Sequence, residues 1–334
     1  MEKFSKWRPF LPLQAPASSP LTLAVLPFSL AFALVRAALL AVLLGVYFIL
    51  VEILLTPLGA IGRPLSSLFT SILARTALVL LGYYSIAIET ASAKRGGMKA
   101  VAQVVPSAPR RGDLIISNWT SYIDVLYYAF RHNPTFLLPV FSEAITVDSN
   151  FGRASGTGSA SILLPTTSST CIGYVPVRPL ALMARTGSLP PTAAEVAGQK
   201  VFKTLAAARA ASPGPVLVFP EGTTSNGRAV LRFGDGVLGE EVGKEGIVWI
   251  KFMRHASPTA LLAAASCPLP NPAAHLLLAS QPGGFGALRD DHTAANREAC
   301  AVILAETGRV RRVPGMGWAE KASFLVYYAK SKRQ

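Results

Sequence analysis

The sequence predicts an α/β fold: a mixed, mostly parallel sheet flanked by helices, preceded by an apolar helical hairpin. Three observations carry that expectation. After residue 110, short apolar runs alternate with helical stretches and turns, as in a sheet buried on both faces. The apolar residues are concentrated ahead of that region. The chain of 334 residues is 51% hydrophobic yet carries a formal charge of +14, a pairing suited to an anionic membrane face.

Composition excludes several classes. So apolar a chain is not an extended disordered protein. Its 27 Gly and 25 Pro follow no collagen period. Three cysteines, Cys171, Cys267 and Cys300, form no C-x-x-C pair and no disulfide framework. They read as reduced thiols on a cytosol-facing domain.

Residues 1–93 are expected to form a membrane-anchoring helical region and residues 94–334 the α/β domain. From Leu21 to Leu55 only Arg36 and Glu52 are charged, and a bilayer needs about 20 apolar residues per helix. A second apolar stretch, Pro64 to Ile88, is interrupted by Arg75. Between them, Thr56-Pro57-Leu58-Gly59 supplies helix breakers. Lys3, Lys6 and Arg8 precede the pair, and Lys94, Arg95, Lys99, Arg110 and Arg111 follow it. Two basic flanks place both ends in the cytosol. Arg75 would cost about 2.5–3.5 kcal/mol at a bilayer centre, so the second helix either spans or lies in the interface. The apolar run is too long and too far from the start for a cleaved signal peptide.

In the second region Asp113 to Ser117 reads as a buried strand, and Ser121 to Arg131 as a helix with Ile123, Leu126, Tyr127 and Phe130 on one side. Thr135–Val140 and Cys171–Val177 read as strands, with a Gly/Ser/Thr-rich loop from Ser149 to Thr170 between them. Pro179 to Pro191 reads as a linker. Thr192 to Ala211 is Ala-rich and reads as one helix, stopped by Pro213-Gly214-Pro215. Val216–Phe219 and Gly246–Phe252 are further strands. Asp291 to Glu306 has a helix signature, with Asp291 as cap and Gly308 as stop.

Two segments concentrate polar chemistry. Ser117-Asn118-Trp119-Thr120-Ser121-Tyr122-Ile123-Asp124 is a strand end opening into a helix, where side chains and free N–H groups gather at a pocket mouth. Read alone, it is first of all an N-cap, with Thr120 or Ser121 satisfying the first turn and Asp124 complementing the dipole. Phe219-Pro220-Glu221-Gly222-Thr223-Thr224-Ser225-Asn226-Gly227-Arg228 carries an apolar strand into a turn rich in hydroxyl and amide groups. Gly222 allows close backbone approach, and Thr, Asn and Arg suit phosphate oxygens.

Together these segments resemble the glycerolipid acyltransferase family, in particular its lysophosphatidic acid acyltransferases and a fungal branch linked to lipid droplets and vacuolar sorting. FPEGTTSNG is similar to the family's third motif, SNWTSYID to its first (Asn-His-x-Ser-x-x-Asp), and Gly173 to Arg178 to its second. The resemblance covers about residues 110–255. Ala256-Ser257-Pro258-Thr259 is a candidate for the fourth, proline-bearing strand. The resemblance implies the family's α/β sandwich, acyl-CoA as co-substrate, no other cofactor and no metal. It implies a lysophospholipid acceptor, most simply lysophosphatidic acid converted to phosphatidic acid, on the endoplasmic reticulum membrane or a lipid droplet. By the same resemblance Asn118, Ser121 and Asp124 form the reacting-hydroxyl side. Arg178, Glu221, Gly222, Thr223 and Thr224 then bind the acceptor phosphate, with Arg228 or Arg232 replacing the Arg that the family commonly carries at position 224.

One departure is chemical. Trp119 stands where the family's general base His is expected, and indole accepts no proton. General-base assistance is worth about 10²–10⁴-fold. Trp119 either packs against an acyl chain or fills the core. A catalytically silent lipid-binding or scaffold protein of the same fold is therefore the alternative. His132 lies about two turns past Asp124, too far to serve. His132, His255, His275 and His292 are scattered and read as surface or capped histidines.

Other signals are set aside. Gly234 to Gly239 matches GxGxxG but follows a poor strand and precedes Glu240-Glu241. No Walker-type phosphate loop and no Gly-x-Ser-x-Gly elbow occurs. No aromatic-and-basic repeat points to nucleic acid. The tail Lys330-Ser331-Lys332-Arg333-Gln334 resembles a dilysine retrieval signal, though solvated helix-end charge is the commoner meaning of such a tail.

Overall fold

A computed structural model describes residues 7–15, 20–90, 108–145, 169–239, 246–259, 263–279, 288–294 and 300–331. The loop expected from Ser149 falls outside these residues up to 168. So do Lys3, Lys6, Lys94, Arg95, Lys99 and the tail beyond Ser331.

The chain begins with α1 (Pro20–Tyr47), a π-helical turn (Phe48–Leu55), a 3₁₀ turn (Thr56–Leu58) and α2 (Gly59–Leu80). Gly59 takes φ +55° at the reversal, which a side chain would disfavour. A Cβ at Gly62 would overlap the Leu55 carbonyl, so the first turn of α2 is held close to the π-helical turn. From Leu30 to Leu80 the helical stretch is apolar and long enough to cross a membrane. Most of the exposed large apolar side chains among the described residues lie between Phe28 and Ile72.

The two helices differ in what they touch. Helix α2 packs along α3 (Tyr122–Arg131), where Ser71 donates to the Phe130 carbonyl at 2.6 Å. Arg75 is not placed for a bilayer centre. It donates to the carbonyls of Tyr83 (2.9 Å) and Tyr84 (2.6 Å) just past the end of α2, and its guanidinium lies 5.5 Å from the Phe130 ring centroid. Arg75 thereby ties the end of α2 to the segment that leads into the first strand, and a cation is favoured near a helix C-terminus.

The remaining strands are β1 (Ile86–Thr90), β2 (Leu114–Ser117), β3 (Thr135–Phe141), β4 (Cys171–Val177), β5 (Val216–Val218), β6 (Ala229–Leu231), β7 (Val248–His255), β8 (Leu288–Ala294) and β9 (Arg311–Val313). Among the described residues seven strands form one sheet in the order β1-β8-β7-β2-β5-β3-β4. The central four, β7-β2-β5-β3, run parallel, while β8 and β4 pair antiparallel to β7 and β3. Strands β6 and β9 form a small second sheet.

Both faces of the main sheet are covered, which is why its strands read as unbroken apolar runs. Ile115 faces one core with Leu78, Ile123, Tyr127 and Trp249. Leu114 and Ile116 face the other with Phe252, Leu304 and Trp318. The second core is closed by α5 (Leu205–Ala211), α7 (Cys300–Gly308) and α8 (Trp318–Ser331), while α6 (Pro272–Ala279) packs Leu276 against the first.

Three expected elements differ. The linker after Arg178 opens with a short helix, α4 (Pro179–Ala184). The Ala-rich stretch from Thr192 is helical only in α5, capped by Thr204, whose hydroxyl accepts from Ala207 N at 3.2 Å. Residues before it are drawn alongside the sheet, through bridges Phe141–Thr192 and Tyr174–Phe202. Asp291 lies in strand β8, not at a helix cap, because β1 and β7 claim that backbone from either side.

Candidate functional site

The site forms at the C-terminal ends of β2 and β7, the edge at which open parallel sheets place their ligands. Past the last paired residue of β2, Asn118 extends the ladder with its side chain. Its Nδ2 donates to the Met253 carbonyl at 3.0 Å and its Oδ1 accepts from Met253 N at 2.7 Å. The chain then enters α3 through a capping box: Ser121 Oγ accepts from Ile123 N at 3.3 Å, and Asp124 closes the box. Asp124 Oδ2 accepts from Thr120 N (2.7 Å), Thr120 Oγ1 (2.8 Å) and Ser121 N (3.0 Å).

The other carboxylate oxygen has a partner that sequence reading missed. His255, the last residue of β7, places Nε2 2.6 Å from Asp124 Oδ1. It is neither a surface nor a capped histidine: its side chain is 7% exposed and that of Asp124 is 0% exposed. With Nε2–H donating to the carboxylate, Nδ1 is the proton-accepting nitrogen. Nδ1 is buried and has no hydrogen-bond partner among the described residues. Tyr83, beyond the end of α2, meets the imidazole edge-on at 6.4 Å between ring centroids. Burial first, and the Asp124 charge second, push the Tyr83 hydroxyl well above its ordinary pKa, so it stays a neutral neighbour.

The imidazole lines a cavity of about 400 Å³ together with Asn226, Arg228, Arg254, Ser257, Ser266 and Arg309. Three arginines line one cavity, a lining that suits an anionic ligand. Arg228 Nη2 donates to Ser257 Oγ at 2.8 Å, and Arg254 donates to the Gly308 carbonyl. The N-terminal segment closes one side. Leu13 lines the cavity, and Asn226 Nδ2 holds the Arg8 (2.6 Å) and Leu11 (3.1 Å) carbonyls.

The two polar motifs meet beside this cavity. Ser225 N donates to the Trp119 carbonyl at 3.0 Å. Gly227 (φ +73°) faces Thr120 so closely that a Cβ would come within 3.0 Å of its methyl. Trp119 is 1% exposed and stacks on Phe219 at 5.1 Å, so it fills the core.

Individual residues are placed unevenly. Asp124 and Arg228 belong to the neighbourhood of the cavity. Asn118 and Ser121 are buried, their side chains spent on Met253 and on the α3 cap. Glu221, Thr223 and Thr224 are fully buried and do not line it, nor does Gly222. Their loop instead receives the C-terminal helix. Lys321 Nζ donates to Thr223 Oγ1 (2.9 Å), the Thr224 carbonyl (2.8 Å) and Thr224 Oγ1 (3.2 Å). Burial pushes the Lys321 ammonium down to about 7, opposed by Cys267 and Glu221. Burial pushes the Glu221 carboxyl well above the carboxylate range, opposed by the Leu231 backbone and Lys321. Arg232 pairs with Glu320 of α8 at 3.0 Å. Arg178, at the start of α4, leaves the cavity altogether and pairs with Glu52 of the π-helical turn. Ala256 to Thr259 follow β7 as irregular chain.

No protein-family model, no curated protein and no solved structure matches this chain.

Proposed function

We propose that the chain is a membrane-seated, acyl-CoA-dependent O-acyltransferase acting on a lysophospholipid, most simply lysophosphatidic acid, with Asp124 and His255 as its base pair. The observation that carries this reading is the buried 2.6 Å contact between His255 Nε2 and Asp124 Oδ1, with Nδ1 left without a partner among the described residues. It supplies the imidazole that position 119 lacks.

In this mechanism the acceptor hydroxyl gives its proton to His255 Nδ1 as its oxygen attacks the thioester carbonyl carbon. The tetrahedral intermediate collapses, the C–S bond breaks, and the CoA sulfur takes the proton back from the imidazolium. Asp124 fixes the tautomer and offsets the transient positive charge. It keeps that position because three donors already hold its other oxygen. Arg228, with Arg254 and Arg309 at the same cavity, takes the acceptor phosphate. The exposed apolar surface of α1 supports a seat in the membrane, with Tyr83 linking the end of α2 to the imidazole. The mixed sheet preceded by apolar helices is consistent with the glycerolipid-acyltransferase sandwich and with an endoplasmic-reticulum or lipid-droplet membrane, the catalytic domain facing the cytosol.

The test supplies labelled oleoyl-CoA and lysophosphatidic acid to the full chain in detergent or microsomes, beside Asp124→Ala and His255→Ala. Phosphatidic acid formed by the wild type and cut by about 10²–10⁴-fold in both variants supports the reading. Equal turnover in all three, or none above background, leaves the catalytically silent lipid-binding protein as the better description.

A further inference from the structure

A second residue lining the same cavity carries a buried polar atom with no partner among the described residues. Ser266 is 3% exposed, lines the cavity with His255, and its Oγ has no hydrogen-bond partner among the described residues. Buried polar atoms without partners are rare in folded proteins. Here one orphan is a hydroxyl donor and the other, His255 Nδ1, is an acceptor. Their surroundings are fixed by the same residue. Thr120 accepts Cys267 N at 2.8 Å through its carbonyl, and its own N–H and hydroxyl hold Asp124 Oδ2. Thr224 Oγ1 pins the Cys267 carbonyl at 2.9 Å. Ser266 therefore sits one residue from a backbone anchored on both sides, and its orphaned hydroxyl is not the product of a loose loop.

An alcohol hydroxyl is the complement of this pair, since it donates one hydrogen bond and accepts another. We propose that Ser266 Oγ and His255 Nδ1 together seat the acceptor's reacting hydroxyl: Ser266 donates to the acceptor oxygen, and that oxygen's proton points at Nδ1. This rests on the acyltransferase reading and adds to it a residue that orients the nucleophile. The serine donates to the attacking oxygen and forms no covalent bond with the acyl group, so transfer is direct.

The seat makes an unusual demand on stability. Removing a buried hydroxyl that had a protein partner destabilises a fold, whereas removing an orphan leaves it unchanged or firmer. The experiment uses the full chain in detergent, wild type against Ser266→Ala. The probes are 1-oleoyl lysophosphatidic acid and its 2-deoxy analogue, with oleoyl-CoA as donor. Expected are an unchanged or higher Tm, a kcat/KM for lysophosphatidic acid lower by about 10- to 100-fold, and binding weakened for lysophosphatidic acid but not for the deoxy analogue. Equal kcat/KM in both proteins overturns the seat, as does equal weakening for both lipids. An acyl group trapped on Ser266 by rapid quench and mass spectrometry also overturns it, by making the serine a nucleophile. His255→Ala separates the two layers. If that variant is dead while Ser266→Ala is unaffected, only the seat fails. If it is fully active, the acyltransferase reading of this site fails with it.

Discussion

His255 Nε2 and Asp124 Oδ1 lie 2.6 Å apart although 131 residues separate them along the chain. The pair joins the end of one central strand to the first turn of the helix that follows its neighbour. Removing either half has different structural consequences. Asp124→Ala deletes the acceptor for three donors as well as the imidazole's partner, so it lowers stability by about 1–3 kcal/mol along with activity. His255→Gln keeps an amide able to reach the carboxylate. It loses turnover with a smaller drop in Tm. Thermal melting beside the acyl-transfer assay separates the two.

Trp119 is a packing residue, so its replacement should cost stability before chemistry. Trp119→Ala opens a large cavity against Phe219 and costs about 3–5 kcal/mol. Trp119→Phe keeps the stack and removes an indole N–H that has no partner among the described residues. Its turnover stays within about threefold of wild type, well under the effect of losing a general base. A loss as large as that of His255→Ala would place the base elsewhere.

The arginines divide by location. Arg228→Ala raises KM for lysophosphatidic acid by about tenfold, as expected for one charge-assisted contact of about 1.4 kcal/mol. Arg178→Ala leaves that KM unchanged. Its side chain is 61% exposed and paired with Glu52, and a pair with so open a cation contributes at most about 1 kcal/mol. Acceptor titrations of the two variants decide the matter. A KM effect confined to Arg178 would return the phosphate to the site implied by the sequence resemblance.

Lys321 and Glu221 give the fold a pH dependence with two opposed slopes. Folding pushes Lys321 down to about 7 from an ordinary 10.5. Between those values the unfolded chain holds the proton and the folded chain releases it. Stability therefore rises with pH across that window, by at most about 1.4 kcal/mol per pH unit. Glu221 is raised, so above about 4.5 the folded chain holds a proton that the unfolded chain has lost. Its contribution falls as pH rises towards the folded value. Lys321→Met should abolish the alkaline rise, and Glu221→Gln the fall above about pH 4.5. Denaturant melts from pH 5 to 10 read both slopes. An alkaline rise that survives in Lys321→Met would assign it to another group.

Much of the sheet was legible in the sequence because local pattern and tertiary role agree. Leu114–Ser117, Thr135–Phe141 and Cys171–Val177 lie where apolar runs bounded by turn residues place them, and Ser121 and Asp124 announce the start of α3. The misread stretches are those where neighbours override propensity. Ala-rich residues before Thr204 bridge to β3 and β4, and Asp291 is held by two flanking strands. His255 was invisible because its partner is remote. A signal did exist. Val248 onward reads as a strand, and a histidine at the C-terminal end of a buried parallel strand sits at the ligand edge of such sheets. Ending that strand at Phe252 hid it. Thr223 and Thr224 illustrate the converse: residues suited to phosphate are held by Lys321, whose place opposite them no spacing reveals.

Asp124 divides its two oxygens between the start of a helix and the imidazole of His255. Uncoiling that first turn would release both at once. Under the proposed chemistry the imidazole would be oriented only once that turn has formed, so a half-melted chain would present no aligned base to a thioester.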